Sequence, residues 1–98
     1  MSFYIYEILI DGVRRYIGYT NNITRRKSQH FLEIKKGSQK KYLYKKINLL
    51  TEPTIDFNLV KTFDNMGDAK RWEAYLILDD YFNDKQLWQS FPVSFKYF

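Results

Sequence analysis

The sequence lacks the residues on which several classes of functional site depend. It contains no cysteine, which excludes disulfides, thiolate zinc sites and cysteine nucleophiles. Its one histidine, His30, rules out a multi-histidine metal centre. No apolar run is long enough to cross a bilayer, and the N-terminus has no basic segment followed by an uncharged one, as a secretory signal requires. We therefore expect a soluble, intracellular, cytoplasmic protein with no membrane partner.

What the chain has in quantity is apolar and aromatic side chains. Hydrophobic residues make up 45% of its 98 residues and aromatic residues 19%. This composition supplies a hydrophobic core and argues against intrinsic disorder. Because chains of this length form one domain, we predict a single domain over residues 1–98, with no appended DNA-binding region.

Positive charge is concentrated in one segment of the chain. The net charge is +5, yet eleven of the sixteen basic residues lie between positions 14 and 46, where Glu33 is the only acid. This separation favours a face that binds a polyanion, and a solvated basic helix is the plainer alternative. Tyr42 and Tyr44 lie among the lysines and serve either base stacking or core packing. Eight basic residues are expected to contact a nucleic-acid backbone: Arg25, Lys27, Lys35, Lys36, Lys40, Lys41, Lys45 and Lys46.

The residue patterns predict an α+β fold, in which a small three-stranded antiparallel sheet is flanked by about three helices in the order β-β-α-α-β-α. Asp11-Gly12 favours a two-residue hairpin turn, because both positions of that turn need positive φ. Asn21 or Asn22 is expected to cap the first helix, and Asp68 the third. Strands are expected at 3–10, 13–20 and 54–63, and helices at 23–36, 41–50 and 68–80.

Periodicity also predicts which side chains are buried. Helical spacing turns the apolar residues of the second helix inward, including Leu50. Strand alternation puts Leu59 on the same face as Ile55 and Phe57. Gly18 lies inside the second strand, where the missing side chain usually marks a close approach by backbone or ligand.

Several chemically distinctive residues follow one another in a specific order. The first strand carries the triplet YIY, which ends at Tyr6, and the second carries YIG at 16–18. Arg26 and His30 are four residues apart on the first helix and so share one face. Glu73 comes much later, near the start of the last helix. Taken together, these features resemble the GIY-YIG nuclease family over essentially the whole chain.

The resemblance implies a divalent-metal-dependent DNA endonuclease. Tyr6 would activate or position the attacking water with Tyr16 as its hydrogen-bonding companion, or the two would exchange roles. Arg26 would stabilise the phosphate as negative charge grows on it. Glu73 would bind Mg²⁺ or Mn²⁺, since a cation held by one carboxylate keeps most of its waters. His30 would relay a proton or hold a phosphate.

The sequence departs from the family pattern at two points. Tyr4 stands where the first motif has a glycine. The family also has a supporting asparagine near the C-terminus. Either Asn83 or Gln89 takes that place here, and Gln89 fits the spacing better. These departures leave open a catalytically inactive nucleic-acid-binding module of the same fold, and a module that binds an acidic protein is a third alternative. DNA is the expected partner, with a protein partner or self-association for targeting. A monomer is expected to nick, and a dimer to cut both strands.

Overall fold

A computed structural model of the chain describes residues 1–83 and 86–89, so residues 84, 85 and 90–98 of the predicted domain lie outside the described residues. The described residues form three strands and three helices in the order β-β-α-α-β-α, and the strands make one antiparallel sheet. The predicted α+β fold is therefore confirmed. No helix in these two ranges has the length and apolar character needed to span a membrane.

The chain opens with an antiparallel hairpin formed by β1 (Phe3–Ile10) and β2 (Val13–Thr20), as predicted. The two turn residues take φ angles of 53° and 81°, which this tight turn requires. The register then shifts by one residue at Arg15, between the Leu9–Arg14 and Ile8–Tyr16 pairs, and beyond this bulge Tyr6 pairs with Gly18. The tyrosine of the first motif therefore lies directly across from the glycine of the second.

Two helices follow, α1 (Ile23–Lys35) and α2 (Tyr42–Asn48). Of the two predicted caps for α1, Asn22 is the one used, because its side chain accepts a hydrogen bond from the backbone N–H of Arg25. The second helix is shorter than predicted. Because it ends at residue 48, Leu50 no longer follows its inward face and is 39% exposed, so the predicted burial of Leu50 is wrong.

The strand β3 (Ile55–Phe63) and the helix α3 (Met66–Phe82) complete the fold. Asn65 caps α3, since its side-chain oxygen accepts a hydrogen bond from the backbone N–H of Asp68. The predicted cap at Asp68 is wrong because the helix begins earlier. Asp68 lies in the first turn instead, where its negative charge interacts favourably with the helix dipole.

A bulge in β3 changes the alternation predicted for that strand. Ile5 pairs with Lys61 and Tyr6 with Leu59, so Val60 is an extra residue on the β3 side. The extra residue reverses which face each later side chain points to. Leu59 lies before the bulge and keeps the predicted face, paired with Tyr6, yet it is 56% exposed, so its predicted burial is wrong although its predicted face is correct.

Helices cover both faces of the sheet, whose strand order is β2-β1-β3. On one face Tyr6 and Ile8 of β1 pack with Leu43 of α2, and on the other Ile5 packs with Ala69 of α3. Alternate residues of a strand point to opposite faces, so α1 and α2 lie on one side of the sheet and α3 lies on the other. Side chains from both helical layers can meet only at an end or an edge of the sheet.

Candidate active site

A cavity of about 360 Å³ lies at the end of the hairpin opposite the turn. Its walls come from the start of β1, the end of β2, the first turn of α1 and the N-terminal half of α3. The cavity therefore receives side chains from both helical layers. Five residues that the sequence analysis singled out line it: Tyr6, Tyr16, Gly18, Arg26 and Glu73.

Tyr6 is the most deeply buried of these residues, with 1% of its surface exposed. Its ring stacks on Phe57 with centroids 4.7 Å apart. The close approach expected at Gly18 is made by Tyr6, because a Cβ built on that glycine would lie 2.4 Å from the phenol oxygen. Burial raises the pKa of Tyr6 above its usual value; the nearby Tyr16 raises it further and the positive charge of Arg26 opposes the shift. Tyr6 is therefore held in its protonated form.

Tyr16 is only partly buried and has a cation beside it. The Nζ of Lys41, the residue just before α2, donates a hydrogen bond of 3.1 Å to the Tyr16 hydroxyl. The same ammonium lies 5.3 Å from the centroid of the Tyr16 ring. A positive charge in this position stabilises negative charge that develops on the Tyr16 oxygen. Lys41 therefore differs from the other lysines with which the sequence analysis grouped it.

Arg26 reaches the cavity from the first turn of α1. Its backbone N–H donates to the carbonyl of Asn22, the capping residue, at 3.1 Å, which ties its position to the start of the helix. Its positive charge opposes the upward shift in the pKa of Tyr6 and adds to the downward shift in the pKa of His30. The guanidinium therefore acts electrostatically on both side chains. Arginine stays positively charged at any ordinary pH and presents a fork of donors suited to a phosphate.

Glu73 enters the cavity from α3, on the opposite side of the sheet from Arg26. Burial raises the pKa of Glu73 to about 7, against the opposing effects of a backbone hydrogen bond from Tyr19 and the charge of Lys70. A carboxyl that burial keeps from ionising gains strongly from a cation placed next to it.

The surroundings of Glu73 fit a hydrated divalent cation. Magnesium prefers oxygen ligands, keeps several of its waters and is commonly held by one or two carboxylates. Within residues 1–83 and 86–89 there is no cluster of three or more acidic or histidine side chains that would form a closed metal cage. A single, partly buried carboxylate that faces a roomy cavity suits Mg²⁺ or Mn²⁺ bound mostly through water.

His30 lies behind the cavity rather than among the residues that line it. It is 1% exposed, with its Nε2 2.8 Å from the Tyr6 hydroxyl and its Nδ1 2.8 Å from the Tyr44 hydroxyl. Burial lowers the pKa of His30 to about 4, and the charges of Lys41 and Arg26 lower it further. A neutral imidazole enclosed between two phenols is placed to orient Tyr6.

We expect His30 to stay neutral down to about pH 4. Because the pKa of His30 falls from 6.5 to about 4 on folding, the unfolded chain binds a proton between these pH values and the folded protein does not. Stability present above pH 6.5 should therefore decline as the pH drops from 6.5 to 4. An NMR titration of this one imidazole tests the value directly, and a midpoint near 6.5 would show that the ring is accessible to water.

The two candidates for the supporting amide have different positions. Gln89 accepts a hydrogen bond from the backbone N–H of Ile17 at 2.6 Å and donates one to the carbonyl of the same residue at 2.7 Å. It thereby holds the stretch of β2 that carries Tyr16 and Gly18. Asn83 instead donates to the Asp79 carbonyl at the end of α3. The geometry favours Gln89 for support of the site.

The basic residues proposed for nucleic-acid contact lie mainly on the surface of α1, α2 and the loop between them. Seven of the eight are exposed, and Lys46 is partly buried.

Arg14, another basic residue of the same segment, is held by acidic side chains instead. It donates two hydrogen bonds to the buried carboxylate of Asp80, at 2.7 and 2.5 Å, and pairs with Glu7. Its charge is therefore not available to the surface that the sequence pattern suggested.

The sequence analysis missed two contacts with the candidate site. It left Tyr44 between base stacking and packing, and it grouped Lys41 with lysines that track a phosphate backbone. Helical spacing offered a signal for Tyr44, because the buried Ile47 is three residues further along the same helix. No local pattern distinguishes Lys41 from Lys40, since the contact of Lys41 depends on how α2 packs against the hairpin.

Comparison with known protein families identifies the chain. The GIY-YIG catalytic domain matches residues 2–84, a range that includes all five residues singled out at the cavity. The chain belongs to the GIY-YIG family, whose members are nucleases that act on DNA. Neither curated proteins nor solved structures gave a match.

Proposed function

We propose that the chain is a divalent-cation-dependent DNA endonuclease that hydrolyses phosphodiester bonds at the cavity. One observation carries this proposal: Tyr6, Tyr16, Arg26 and Glu73, from four different elements of the fold, line the same cavity. Simple binding of DNA does not need two phenols, a guanidinium and a buried carboxyl at one point. Phosphodiester hydrolysis uses such groups, because water must be activated while negative charge builds on the phosphate.

Of the two tyrosines, we assign the activation of water to Tyr16. Tyr6 is buried and its raised pKa keeps it protonated, so it suits a hydrogen-bond donor better than a base. Tyr16 is more accessible, and the Nζ of Lys41 stabilises negative charge on its oxygen. A phenol takes a proton from water only after its own proton has left, and a cation beside the oxygen favours the phenolate that can do so.

Arg26 and Glu73 act on the phosphate from opposite sides of the cavity. Arg26 would hold the scissile phosphate and stabilise the charge that grows on its oxygens. Glu73 would hold Mg²⁺ or Mn²⁺, and this ion supplies Lewis-acid stabilisation of the leaving oxygen. The burial of Glu73 contributes to cation affinity, because the carboxylate has little water of its own to lose.

Binding to DNA would come from the exposed lysines and arginines of α1, α2 and their loop. Cations of this kind neutralise phosphates without reading bases, so binding should weaken steeply as the salt concentration rises. No element within residues 1–83 and 86–89 resembles a major-groove reading helix of the common DNA-binding motifs. Low intrinsic sequence specificity follows, and a protein partner or self-association would direct the cut.

Cleavage of supercoiled plasmid tests the proposal. The protein should convert it to the nicked form with Mg²⁺ or Mn²⁺, and excess chelator should stop the reaction. Arg26→Ala should lower the rate about 10²-fold, the usual cost of losing one group that stabilises transition-state charge. Arg25→Ala is the matched control: it removes the same charge from the neighbouring, exposed position, so it should weaken binding slightly, most at low salt, and leave the cleavage rate of bound DNA unchanged.

Two outcomes would contradict the proposal. A salt-dependent mobility shift without nicked product would identify an inactive nucleic-acid-binding module. Equal rates for the Arg25 and Arg26 variants would show that the cavity is not where the phosphate reacts. Cleavage to linear product without a nicked intermediate would instead indicate that two copies act together.

A further inference from the structure

A chain of three buried rings extends from the cavity into the core. The hydroxyls of Tyr6 and Tyr44 each lie 2.8 Å from a different nitrogen of His30, Tyr6 from Nε2 and Tyr44 from Nδ1. The exposed fractions of the three residues are 1%, 4% and 1% for Tyr6, Tyr44 and His30. Solvent therefore has little access to these hydrogen bonds, and the protein itself must fix where each proton lies.

A neutral imidazole allows two arrangements of these protons. One nitrogen carries hydrogen and donates, and the other has a lone pair and accepts. In the first arrangement Tyr44 donates to Nδ1 and Nε2–H donates to Tyr6. In the second, Tyr6 donates to Nε2 and Nδ1–H donates to Tyr44. A doubly protonated ring is disfavoured by burial and by the charges of Lys41 and Arg26.

The first arrangement satisfies more of the buried groups. In residues 1–83 and 86–89, His30 is the one hydrogen-bond partner of the Tyr44 hydroxyl, so the second arrangement leaves the Tyr44 hydrogen without an acceptor. In the first, that hydrogen goes to Nδ1, and the hydrogen of Tyr6 is free to turn towards Tyr16, whose ring stacks beside that of Tyr6 with centroids 6.1 Å apart. Buried polar hydrogens without acceptors are costly.

We propose that Tyr44 is a positioning residue: its hydroxyl donates to Nδ1 of His30, holds the ring as the Nε2–H tautomer and so directs the hydroxyl hydrogen of Tyr6 towards Tyr16. The Tyr16 oxygen accepts a hydrogen bond from Lys41, and in this arrangement Tyr6 presents a second donor to it. Donors at this oxygen stabilise negative charge on it. The inference deepens, and rests on, the proposed nuclease function, in which Tyr16 activates water.

The NMR spectrum of His30 tests the hydrogen arrangement without any cleavage assay. The full chain, labelled with ¹⁵N in histidine, contains only this one imidazole. A protonated ring nitrogen and a bare one resonate far apart, so the tautomer is read directly at neutral pH. We expect hydrogen on Nε2 and a bare Nδ1; hydrogen on Nδ1 overturns the proposal, whether or not the protein cleaves DNA.

The variant Tyr44→Phe keeps the buried ring and removes only the hydroxyl. The Nδ1 resonance should move towards that of a nitrogen without a donor, and kcat for nicking should fall about fivefold with KM unchanged, as expected for one lost hydrogen bond. Tyr75→Phe is the matched control, since Tyr75 is 56% exposed and outside the cavity lining, and its variant should leave both readouts unchanged.

The possible failures can be told apart. A wild-type kcat in Tyr44→Phe, an unchanged His30 spectrum in that variant, or an equal loss in Tyr75→Phe overturns the role of Tyr44. If the wild-type protein does not nick DNA, the proposed function fails instead. The spectrum of His30 still decides in that case whether Tyr44 sets the tautomer.

Discussion

Replacing Glu73 by glutamine should lower the nicking rate at least ~10³-fold while the protein stays folded. The variant keeps the size of the side chain. It removes the one acidic group among the described residues that line the cavity. Loss of the carboxylate removes the proposed cation ligand, and metal stabilisation of a leaving oxygen contributes several kcal/mol to such reactions. Initial rates on supercoiled plasmid over a range of Mg²⁺ concentrations measure the effect.

The same variant should gain stability as it loses activity. Burial raises the pKa of Glu73 from its ordinary 4.5 to about 7, so the folded protein binds this proton more tightly than the unfolded chain. Ionisation therefore costs folding free energy, a cost absent below pH 4.5 and complete above pH 7. Without divalent cation, Glu73→Gln should be more stable than wild type at pH 8 by roughly 2 kcal/mol, and equally stable at pH 4.5. Urea unfolding at the two pH values measures this.

Asp79→Asn is the matched control for both measurements. Asp79 is an exposed acid on the same helix and does not line the cavity, so its variant should cleave DNA at the wild-type rate. Robust nicking by Glu73→Gln would remove Glu73 from the mechanism. A stability that does not differ from wild type at pH 8 would mean that the carboxyl is hydrated rather than buried.

Replacing Gly18 by alanine should lower the nicking rate at least ~10²-fold and destabilise the fold by about 1–3 kcal/mol. The added Cβ would lie 2.4 Å from both Cζ and the hydroxyl oxygen of Tyr6. That ring has little room to move, because it stacks on Phe57 and its hydroxyl bonds to His30. Relief of the clash must displace the Tyr6 hydroxyl from Tyr16. Plasmid nicking and urea unfolding together measure the two losses.

Gly67→Ala is a control for a glycine change of the same size. A Cβ at Gly67 would meet the Asn65 side chain no closer than 3.4 Å, and alanine is a better helix former than glycine. This variant should be active and equally or more stable. If Gly18→Ala were also active and as stable as wild type, with the wild-type His30 spectrum, the close contact between Gly18 and Tyr6 would not be needed to position Tyr6.

The parts of the fold that follow from local chemistry were predictable from the sequence. The Asp11-Gly12 turn sets the hairpin, but the bulge at Arg15 that brings Tyr6 opposite Gly18 was not predicted. Asparagine before an apolar-periodic segment predicted the start of α1, and with it the place of Arg26. The turn and cap signals depend on residues near one another in the chain. The family was indicated by the order of tyrosine, glycine, arginine and glutamate along the whole sequence.

The remaining features depend on packing between distant elements. The bulge at Val60 arises from how β3 pairs with β1, and it changes the face of the side chains that follow it; Leu59, on the predicted face, is exposed where alternation alone predicts burial. The contact of Lys41 with Tyr16 and the enclosure of His30 by Tyr44 likewise require α2 to dock on the sheet. A sequence pattern identifies a lysine or a tyrosine at these positions but does not indicate its neighbour in space.

The exposed loop at residues 49–54, between α2 and β3, divides the cavity residues unequally. Both motif tyrosines and Arg26 precede it, whereas Glu73 follows it. A polypeptide severed there would leave each fragment chemically incomplete, and only the reunited pair would possess every group. The same division means that a chain emerging from the ribosome lacks its cavity carboxylate until α3 has been synthesised.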